Sequence, residues 1–349
     1  MKQTQIKFSL CIPHYNRIEY LLENLKVIEL QTYPNIEVII SDDCSSDSTP
    51  NAIKDLIPSY KYPIVFHRNP TNKGYDFNLR KSMELATGDY CFILGNDDTL
   101  WGINSIHNLA AFLIENALPE IGFCNFIEDS QRNTVIERAS KTGIIGGGYD
   151  YAIKHYRSFS FVAGIILKRT AFNDANTSRF DGSVFVQMYF AAKIIGSGQR
   201  LFTIKEPLVL KDILINQSKA NSYRDTLPRK WRDFKSLDGG IPGVINVGVE
   251  AFKELNYPVE STTFAILKGV YKYSYPYWIL DYRQNHSFVG AIGFLSGLFP
   301  SKIKEFRNLR VLNRAKIMLH YIASTTIGLF TPIFLFKRLK NFIYKTIKK

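Results

Sequence analysis

Short apolar runs alternate with amphipathic stretches along the first third of the chain. Runs of four to six apolar residues are typical of buried strands, and apolar residues spaced three and four apart are typical of helices between them. The strands predicted in this way are 8–13, 36–41, 63–67 and 90–94. Strands that alternate with helices predict a mostly parallel α/β sheet with right-handed crossovers.

Beyond residue 125 the pattern loosens, with late strands predicted at 161–167 and 201–210 and a helix at 185–195. A polar and basic loop at 216–232 is expected to cover the site. These patterns predict a domain at 1–225, with a nucleotide-binding half (1–125) and an acceptor half (126–225), followed by a helical, aromatic-rich and basic region at 226–349.

The net charge of +13 favours a polyanionic partner such as nucleic acid, an anionic membrane surface or a phosphate-rich substrate. The excess is concentrated late in the chain: residues 301–316 hold six basic residues and one acid, and 337–349 hold six basic residues and no acid. Because aromatic and apolar residues are interleaved with this charge, we expect contact with a membrane surface rather than nucleic-acid recognition.

Residues 317–336 are apolar but hold several polar residues, so they are a weak candidate for a membrane span. An in-plane anchor explains the composition better, with Tyr and Trp side chains at headgroup depth. An ordinary aromatic-rich helical region with a solvated basic tail is the alternative. The polar N-terminus and four cysteines without metal-type spacing predict a protein of the reducing cytoplasm.

Two predicted strands end in pairs of acids, Asp42 with Asp43 and Asp97 with Asp98. The carboxyl ends of strands in an open α/β sheet face the ligand crevice, so both pairs are expected at one site. Such oxygen ligands suit Mg²⁺ or Mn²⁺, which take one or two carboxylates and complete their shell with water and phosphates. A turn that ends the strand and caps the next helix is the alternative for the Asp97–Asp98 pair. The sequence contains neither a P-loop nor a Gly-x-Gly-x-x-Gly loop.

Four motifs in order resemble those of the family 2 glycosyltransferases, which are inverting enzymes of the GT-A fold that use sugar nucleotides. The motifs are SLCIPHYNR (9–17), VIISDDCSSDST (38–49), NKG with Asn78 (72–78) and ATGDYCFILGNDD (86–98). Within that family, residues 62–100 look most like the abequosyltransferase-type enzymes that act on bacterial O-antigen units.

The resemblance implies a role for each matching position. Asp98 would be the principal ligand of a divalent metal, Mn²⁺ or Mg²⁺, and Asp97 would approach the ribose. Asp43 would accept a hydrogen bond from the base. The other residues implied in donor binding are Pro13, Tyr15, Asn16, Asp42, Asn72, Gly74 and Asn78.

Three positions depart from the family pattern. Gly95 stands where an acid often begins the triplet, and Phe77 stands where an Arg commonly precedes Asn78. The acidic pair that carries the catalytic base is replaced around Gln187, and a neutral amide cannot accept the proton. Asp181 is the nearest acid and the candidate base, with the cap of the following helix as its alternative role.

These observations predict single-sugar transfer from a nucleoside-diphosphate sugar to a polyprenyl-diphosphate-linked glycan, with inversion, at the inner face of the cell membrane. The expected pathway is the synthesis of O-antigen or another surface polysaccharide. A nucleic-acid-binding protein is an alternative that the charge permits, although it leaves both acid pairs unexplained. An inactive sugar-nucleotide-binding protein of the same fold is the other alternative.

Overall fold

The structure is a computed structural model that describes residues 5–220, 241–285 and 288–339. Contacts divide the chain into two compact units. The first comprises Met1–Tyr151, Ser158–Gly182 and Ile194–Asn221, and the second comprises Ala152–Arg157, Ser183–Lys193 and Ser222–Lys349. Most of the predicted loop at 216–232 and of the basic tail at 337–349 lies outside the described residues.

The strands have the following bounds: β1 Phe8–His14, β2 Ile36–Asp42, β3 Ile64–Arg68, β4 Tyr90–Ile93, β5 Thr99–Leu100, β6 Ile121–Glu128, β7 Val135–Ile136, β8 Gly143–Gly146, β9 Ile165–Lys168, β10 Leu201–Lys211, β11 Leu214–Ile215 and β12 Ser218–Lys219. The helices have the following bounds: α1 Ile18–Glu29, α2 Thr49–Leu56, α3 Tyr75–Glu84, α4 Ser105–Glu115, α5 Tyr149–His155, α6 Arg169–Ala175, α7 Val186–Gly196, α8 Ile241–Glu254, α9 Val259–Gly269, α10 Tyr275–Asn285, α11 Phe288–Gly297 and α12 Val311–Phe330. A short helix, α13, follows at Ile333–Leu339.

The first unit is built on a ten-stranded sheet whose main path is β3-β2-β1-β4-β9-β6-β10-β5. The block β3-β2-β1-β4 is parallel, and β6 pairs with β10 in the same way. The other strands join antiparallel, so the sheet is mixed outside that block. This arrangement confirms the predicted α/β class and places the carboxyl ends of β1, β2 and β4 at one edge.

Pro13 is tolerated in a central strand because the pairing of β1 with β4 ends before it. The register with β4 stops at Cys11 opposite Ile93, whereas the register with β2 continues through Pro13 opposite Ser41. The missing N–H of proline therefore leaves no gap in the β4 ladder. The strand is free to turn directly into the polar segment that follows.

A buried carboxylate, Glu37, closes the opposite end of the parallel block. Its oxygens accept hydrogen bonds from Lys7 Nζ at 2.7 Å, Ser9 Oγ at 2.6 Å and Thr87 N at 2.7 Å. Burial alone would raise the pKa of Glu37, but these hydrogen bonds outweigh it and lower the pKa to about 2. Glu37 thus ties β1, β2 and the chain before β4 together.

We expect Glu37→Gln to lower the free energy of unfolding by about 3 kcal/mol, because one partner of a buried charged cluster is removed. A folded-state pKa below the ordinary value of 4.5 stabilises the protein above that pH. The stabilisation is lost as the pH falls from 4.5 towards 2. Urea unfolding at a series of pH values should therefore show a constant gap between wild type and variant above that window and a shrinking gap within it.

The second unit holds a helical, aromatic-rich core, as predicted. Tyr271 and Tyr275 are fully buried and pack edge to face, with ring centroids 5.4 Å apart. Tyr275 also stacks on Tyr321 at 5.4 Å and on Phe294 at 5.9 Å. The expectation that these tyrosines lie at headgroup depth is wrong for Tyr271 and Tyr275, because their phenol rings are internal packing groups.

Within the described residues, no single helix is both long and apolar enough to cross a membrane. Helices α12 and α13 meet the criteria of length and composition only when they are joined, and the chain bends by 101° between them.

Candidate functional site

The site is organised around the carbonyl oxygen of His14, at the end of β1. This oxygen accepts two hydrogen bonds, one from Asp43 N at 2.8 Å and one from Asn78 Nδ2 at 3.0 Å. On its other side, Asn78 Oδ1 accepts from Ser41 Oγ at 2.7 Å. Asn78 therefore joins α3 to the ends of β1 and β2. The structure gives it a positioning role beside the predicted donor pocket.

Asp43 is buried and holds the loop that leads into α3. Its Oδ1 accepts hydrogen bonds from Asn69 Nδ2 at 2.9 Å and Lys73 N at 2.7 Å, and its Oδ2 accepts from Gly74 N at 2.9 Å. The exposed Asn72 side chain also accepts from Gly74 N, at 3.1 Å. Gly74 has φ +86°, a conformation that disfavours residues with a side chain. The carboxylate of Asp43 thus fixes the wall on which Asn72 and Gly74 lie.

Asp42 serves the turn after β2 rather than an open surface. It is fully buried, and it accepts hydrogen bonds from the backbone and hydroxyl of Ser45, with Arg68 Nε at 3.3 Å. Burial raises the pKa of Asp42. Of the two acids in this pair, Asp43 therefore contacts the loop at 69–74, whereas Asp42 stabilises the turn that follows β2.

The segment after β1 presents Tyr15 outward. Its side chain is 47% exposed. Asn16 and Arg17 both have left-handed backbones, with φ of 53° and 65°. Asn16 N donates to Ser45 Oγ at 2.7 Å, and its Oδ1 accepts from Ser46 N at 2.9 Å. These contacts hold the turn and leave the Tyr15 ring available to a ligand.

Asp97 and Asp98 follow β4, as the sequence predicts. Asp98 is 5% exposed, and its Oδ1 accepts a hydrogen bond from Asp212 N at 3.0 Å. Burial and the neighbouring Asp97 carboxylate hold the pKa of Asp98 well above its usual range. Burial also raises the pKa of Asp97, although Arg17 opposes it. A buried carboxylate with a half-buried carboxylate beside it is costly unless a cation compensates the pair.

Gly95 gives these carboxylates the space that they occupy. A Cβ atom at position 95 would lie 2.6 Å from Asp98 Oδ2 and 3.2 Å from Asp97 Oδ1. An acid at this position, as in the family pattern, would require both carboxylates to move. The absence of a side chain at Gly95 therefore leaves room for the Asp98 carboxylate to lie over the glycine.

Three residues of this edge were missed by the sequence reasoning: His14, Arg17 and Lys211. The Nε2 atom of His14 lies 2.9 Å from Thr49 Oγ1, and Nδ1 lies 3.2 Å from the amide nitrogen of Asn96. Because an amide nitrogen only donates, Nδ1 accepts and Nε2 carries the proton. Burial lowers the pKa of His14 to about 4, so the ring is neutral at pH 7.

Arg17 and Lys211 place positive charge near the acid pair. Arg17 Nη1 contacts Asp97 Oδ2 at 3.0 Å. Lys211, at the end of β10, pairs with Asp212 at 2.6 Å and lies 3.6 Å from Glu128. Burial alone would lower the pKa of Lys211, but these carboxylates outweigh it and raise that pKa. The HYNR motif was the available signal for His14 and Arg17, whereas nothing near Lys211 in the sequence indicates its place.

The residues present fit a divalent cation that is shared with a substrate. The Oδ2 atom of Asp98 accepts no hydrogen bond from the described part of the chain. The same residues hold no group of three or more His, Cys, Asp or Glu side chains that could bind a metal alone. One or two carboxylates completed by phosphate oxygens are a usual Mg²⁺ or Mn²⁺ arrangement. Asp98, with Asp97 beside it, is the set that would hold the ion.

Asp181 is engaged by Arg80 of α3. Arg80 Nε and Nη2 donate to its two oxygens at 2.8 and 2.7 Å, and Arg80 Nη1 donates to Glu84 at 2.7 Å. This bidentate pair links α3 to the segment that follows α6. Gln187 is buried, and its Oε1 has no hydrogen-bond partner among the described residues. The assignment of Asp181 as the base stays a prediction.

The pairing with Arg80 predicts the effect of Asp181→Asn. We expect the free energy of unfolding to fall by about 2 kcal/mol, because Arg80 loses the bidentate one of its two charged partners, Asp181 and Glu84. The matched variant Arg80→Gln should cause a similar loss. Urea unfolding measures both. A thousandfold loss of kcat with an unchanged melting temperature, together with loss of the pH dependence of kcat, would instead support Asp181 as the base.

Residues 9–164 match the family model described as glycosyl transferase family 2, so this part of the chain is a domain of that family. The fold is that of the GT-A glycosyltransferases. The chain is 31% identical over 219 residues to the abequosyltransferase RfbV of Salmonella typhimurium. The aligned region covers 58% of this chain and 65% of the relative. It is also 30% identical over 120 residues to a PGL/p-HBAD biosynthesis glycosyltransferase of Mycobacterium bovis, and this alignment covers 34% of this chain and 46% of the relative.

Solved structures share the fold at low sequence identity. Residues 1–349 of S. aureus TarS, solved in complex with UDP-GlcNAc, align with a TM-score of 0.64 at 14% identity and cover 96% of this chain and 92% of that one. The mannosyltransferase PcManGT from Pyrobaculum calidifontis, solved with GDP-Man and Mn²⁺, aligns with a TM-score of 0.50 at 15% identity, covering 94% and 88%. At these identities the likeness concerns the fold alone.

Proposed function

We propose that the protein transfers one sugar from a nucleoside-diphosphate sugar to a hydroxyl of a polyprenyl-diphosphate-linked glycan, with inversion at the anomeric carbon. The observation that carries the proposal is the pair of a half-buried Asp97 and a buried Asp98 at the end of β4, with an Asp98 oxygen left for a cation. The family match of residues 9–164 and the similarity to an abequosyltransferase support the class of reaction.

The proposed donor site runs along the edge described above. Asp43 and the loop at 69–74 receive the base, Tyr15 flanks it, and Asp97 approaches the ribose. Asp98 holds a divalent cation, which supplies charge neutralisation for the departing diphosphate. The neutral His14 ring, through its contacts with Thr49 and Asn96, joins the end of β1 to the start of α2 and to the segment after β4.

The acceptor and the location of the reaction are part of the same proposal. A glycan on a polyprenyl diphosphate would be used at the inner face of the cell membrane, in the synthesis of O-antigen or another surface polysaccharide. The basic residues after position 300 support a partner with anionic headgroups. The sugar of the abequosyltransferase relative makes a deoxyhexose the first donor class to test.

The test is a transfer assay with purified protein, Mn²⁺, a panel of nucleoside-diphosphate sugars and polyprenyl-diphosphate glycans extracted from membranes. We expect metal-dependent release of nucleoside diphosphate with one donor, and a glycolipid heavier by one sugar in the mass spectrum. Release of nucleoside diphosphate without a glycolipid product would reject the acceptor. No release with any donor would reject the transferase.

An inactive sugar-nucleotide-binding protein is the second candidate, and one observation favours it. Asp181 uses both carboxylate oxygens on Arg80, and Gln187 is neutral, so the described residues around these positions show no free base. In that case a nucleotide sugar binds in the presence of metal and no turnover follows. The same assay, combined with a binding measurement, separates the two functions.

A further inference from the structure

The outward side of α12 carries a stripe of mainly apolar residues, with one hydroxyl side chain at Thr326. The stripe consists of exposed residues spaced three or four apart along the helix: Leu312, Ala315, Leu319, Ile322, Thr326 and Phe330. Its large members are 68%, 66%, 55% and 77% exposed, in the order Leu312, Leu319, Ile322 and Phe330. Large contiguous apolar patches are rare on soluble monomers and mark interaction sites.

The exposure of the stripe is fixed by how α12 packs. The opposite side of the helix buries Ile317, Ser324 and Gly328. A Cβ atom at Gly328 would lie 2.7 Å from Ile279 Cβ, so α12 approaches α10 as closely as a glycine permits. The helix therefore cannot rotate to hide the stripe without losing this contact.

The C-terminal end of α12 is also fixed by contacts within the second unit. Arg283 Nη1 donates to the carbonyl oxygens of Gly328 at 2.7 Å and Thr331 at 2.8 Å, which satisfies acceptors left open at the helix C-terminus. The chain then bends into α13, where Phe334 is 75% exposed. Apolar side chains thus continue past the bend.

The charge around the stripe is mainly positive. The acid that contacts α12 is Glu260 of α9, which accepts hydrogen bonds from Arg310 N at 3.3 Å and Asn313 Nδ2 at 2.7 Å at the first turn of the helix. Helices α12 and α13 contain no acidic residue, and residues 301–339 hold eight basic residues against Glu305. Arg310, Arg314 and Lys316 lie at one end of the stripe, and the exposed Lys337 and Arg338 lie beyond the other end. This combination matches an anionic bilayer, in which acyl chains accept the apolar residues and phosphates accept the basic ones.

A second copy of the chain fits the same surface poorly. Twofold dimers bring identical patches together, so either orientation of two α12 stripes would place basic ends beside basic ends. Like charges at an interface oppose association. The excess of basic residues at both ends of the stripe thus favours a lipid surface over self-association.

We propose that α12 lies in the plane of an anionic membrane surface and inserts its apolar stripe between the lipids. This deepens the membrane part of the proposed function by naming the residues that insert. The inserting groups are the aliphatic stripe and Phe330, whereas Tyr271 and Tyr275 stay in the protein core.

The test is co-sedimentation of the full chain with phosphatidylcholine vesicles that either contain or lack phosphatidylglycerol. We expect wild type to bind the anionic vesicles, and the double variant Leu319→Gln, Ile322→Gln to bind them at least ~10-fold more weakly. The control Leu30→Gln, Ile103→Gln removes two exposed apolar residues of the first unit and should bind like wild type. Lys337→Gln, Arg338→Gln should weaken binding by about fivefold per charge at low salt.

Insertion has a direct readout that does not depend on affinity. In the variant Ile322→Trp, brominated lipids should quench fluorescence beyond the quenching seen in wild type, whereas Ile103→Trp should show no excess. Equal binding of the stripe variant and wild type would overturn the proposal. So would a wild-type dimer in light scattering that the stripe variant dissociates, together with no vesicle binding.

Failure of this inference and failure of the proposed transferase are distinguishable. The stripe variant should keep the melting-temperature shift that a nucleotide sugar and Mn²⁺ produce, since the stripe lies in the second unit and the donor residues in the first. Vesicle binding without a melting-temperature shift from any nucleotide sugar would support the membrane contact of α12 and reject the proposed transferase. A melting-temperature shift from a nucleotide sugar without vesicle binding would reject the membrane contact of α12 and leave the proposed donor site supported.

Discussion

Asp98→Asn is expected to lower kcat/KM by a factor on the order of 10³ while leaving the fold intact. Asparagine keeps the shape and the hydrogen bond that Asp98 Oδ1 accepts from Asp212 N. It removes the charge that would hold a divalent cation, and a thousandfold corresponds to about 4 kcal/mol of transition-state stabilisation. Steady-state kinetics with and without Mn²⁺ measure the effect.

Stability should respond to Asp98→Asn in the opposite direction. Asp98 is a buried acid beside a second acid, so a neutral amide removes an unfavourable charge, and the melting temperature without metal should stay the same or rise. Asp55→Asn, on the exposed side of α2, is the matched control for loss of one negative charge. Undiminished turnover in Asp98→Asn would remove this residue as a metal ligand.

Asp43→Asn is expected to weaken donor binding by roughly 100-fold, because an amide nitrogen cannot accept hydrogen bonds. At least one of the donors Asn69 Nδ2, Lys73 N and Gly74 N then loses its acceptor. The loop at 69–74 should loosen, and the proposed acceptor for the base is lost. Calorimetric titration with the nucleotide measures affinity, and amide exchange at Lys73 and Gly74 measures the loop.

Two outcomes separate the roles of Asp43. Faster exchange in the loop with weaker nucleotide binding is the expected result. Faster exchange with unchanged affinity would show that Asp43 organises the loop without contacting the base. Asn72→Ala is the comparison within the same loop, since the Asn72 side chain is exposed and, among the residues that the structure describes, accepts only from Gly74 N at 3.1 Å. It should have the smaller effect on both measurements.

The strands that carry the acids could be predicted because their signals are local. Four consecutive apolar residues before Gly95 specify a buried strand, and the glycine and acids that follow mark its end. The short strands β7 and β8 could not be predicted. One holds two residues and the other is Gly-Ile-Ile-Gly, so neither has a period long enough to detect. They are formed by pairing with β6 and β10.

The partners of the site residues depend on contacts between distant parts of the chain. Arg17 reaches Asp97, and Arg80 reaches Asp181, across long separations that no local pattern records. The bidentate contact with Arg80 changes the interpretation of Asp181 more than any feature of its own sequence. The local sequence around Lys211 likewise does not indicate its ion pairs with Asp212 and Glu128, which form because β10 ends beside β6.

The aromatic residues after position 262 show that composition alone does not distinguish a membrane interface from a protein core. Tyrosine has an apolar body and a polar tip, so the same composition suits a membrane interface and a protein core. The structure buries Tyr271 with its hydroxyl on Leu298 O at 2.8 Å, and exposes leucine and isoleucine on α12 instead. Only the packing of α12 on α10 decides which side chains remain outside.

The central claim is that the acid pair at the end of β4 binds a metal together with a nucleoside diphosphate. Thermal unfolding of wild type and Asp98→Asn tests it most directly, with a panel of nucleotides and nucleotide sugars in the presence and absence of Mn²⁺. A ligand that binds only the native state stabilises it by about 2.7 kcal/mol at 100 times its Kd. We expect one nucleoside diphosphate to raise the melting temperature in a way that requires Mn²⁺ and is lost in Asp98→Asn. No rise with any nucleotide, together with a rise on adding an oligonucleotide, would contradict it.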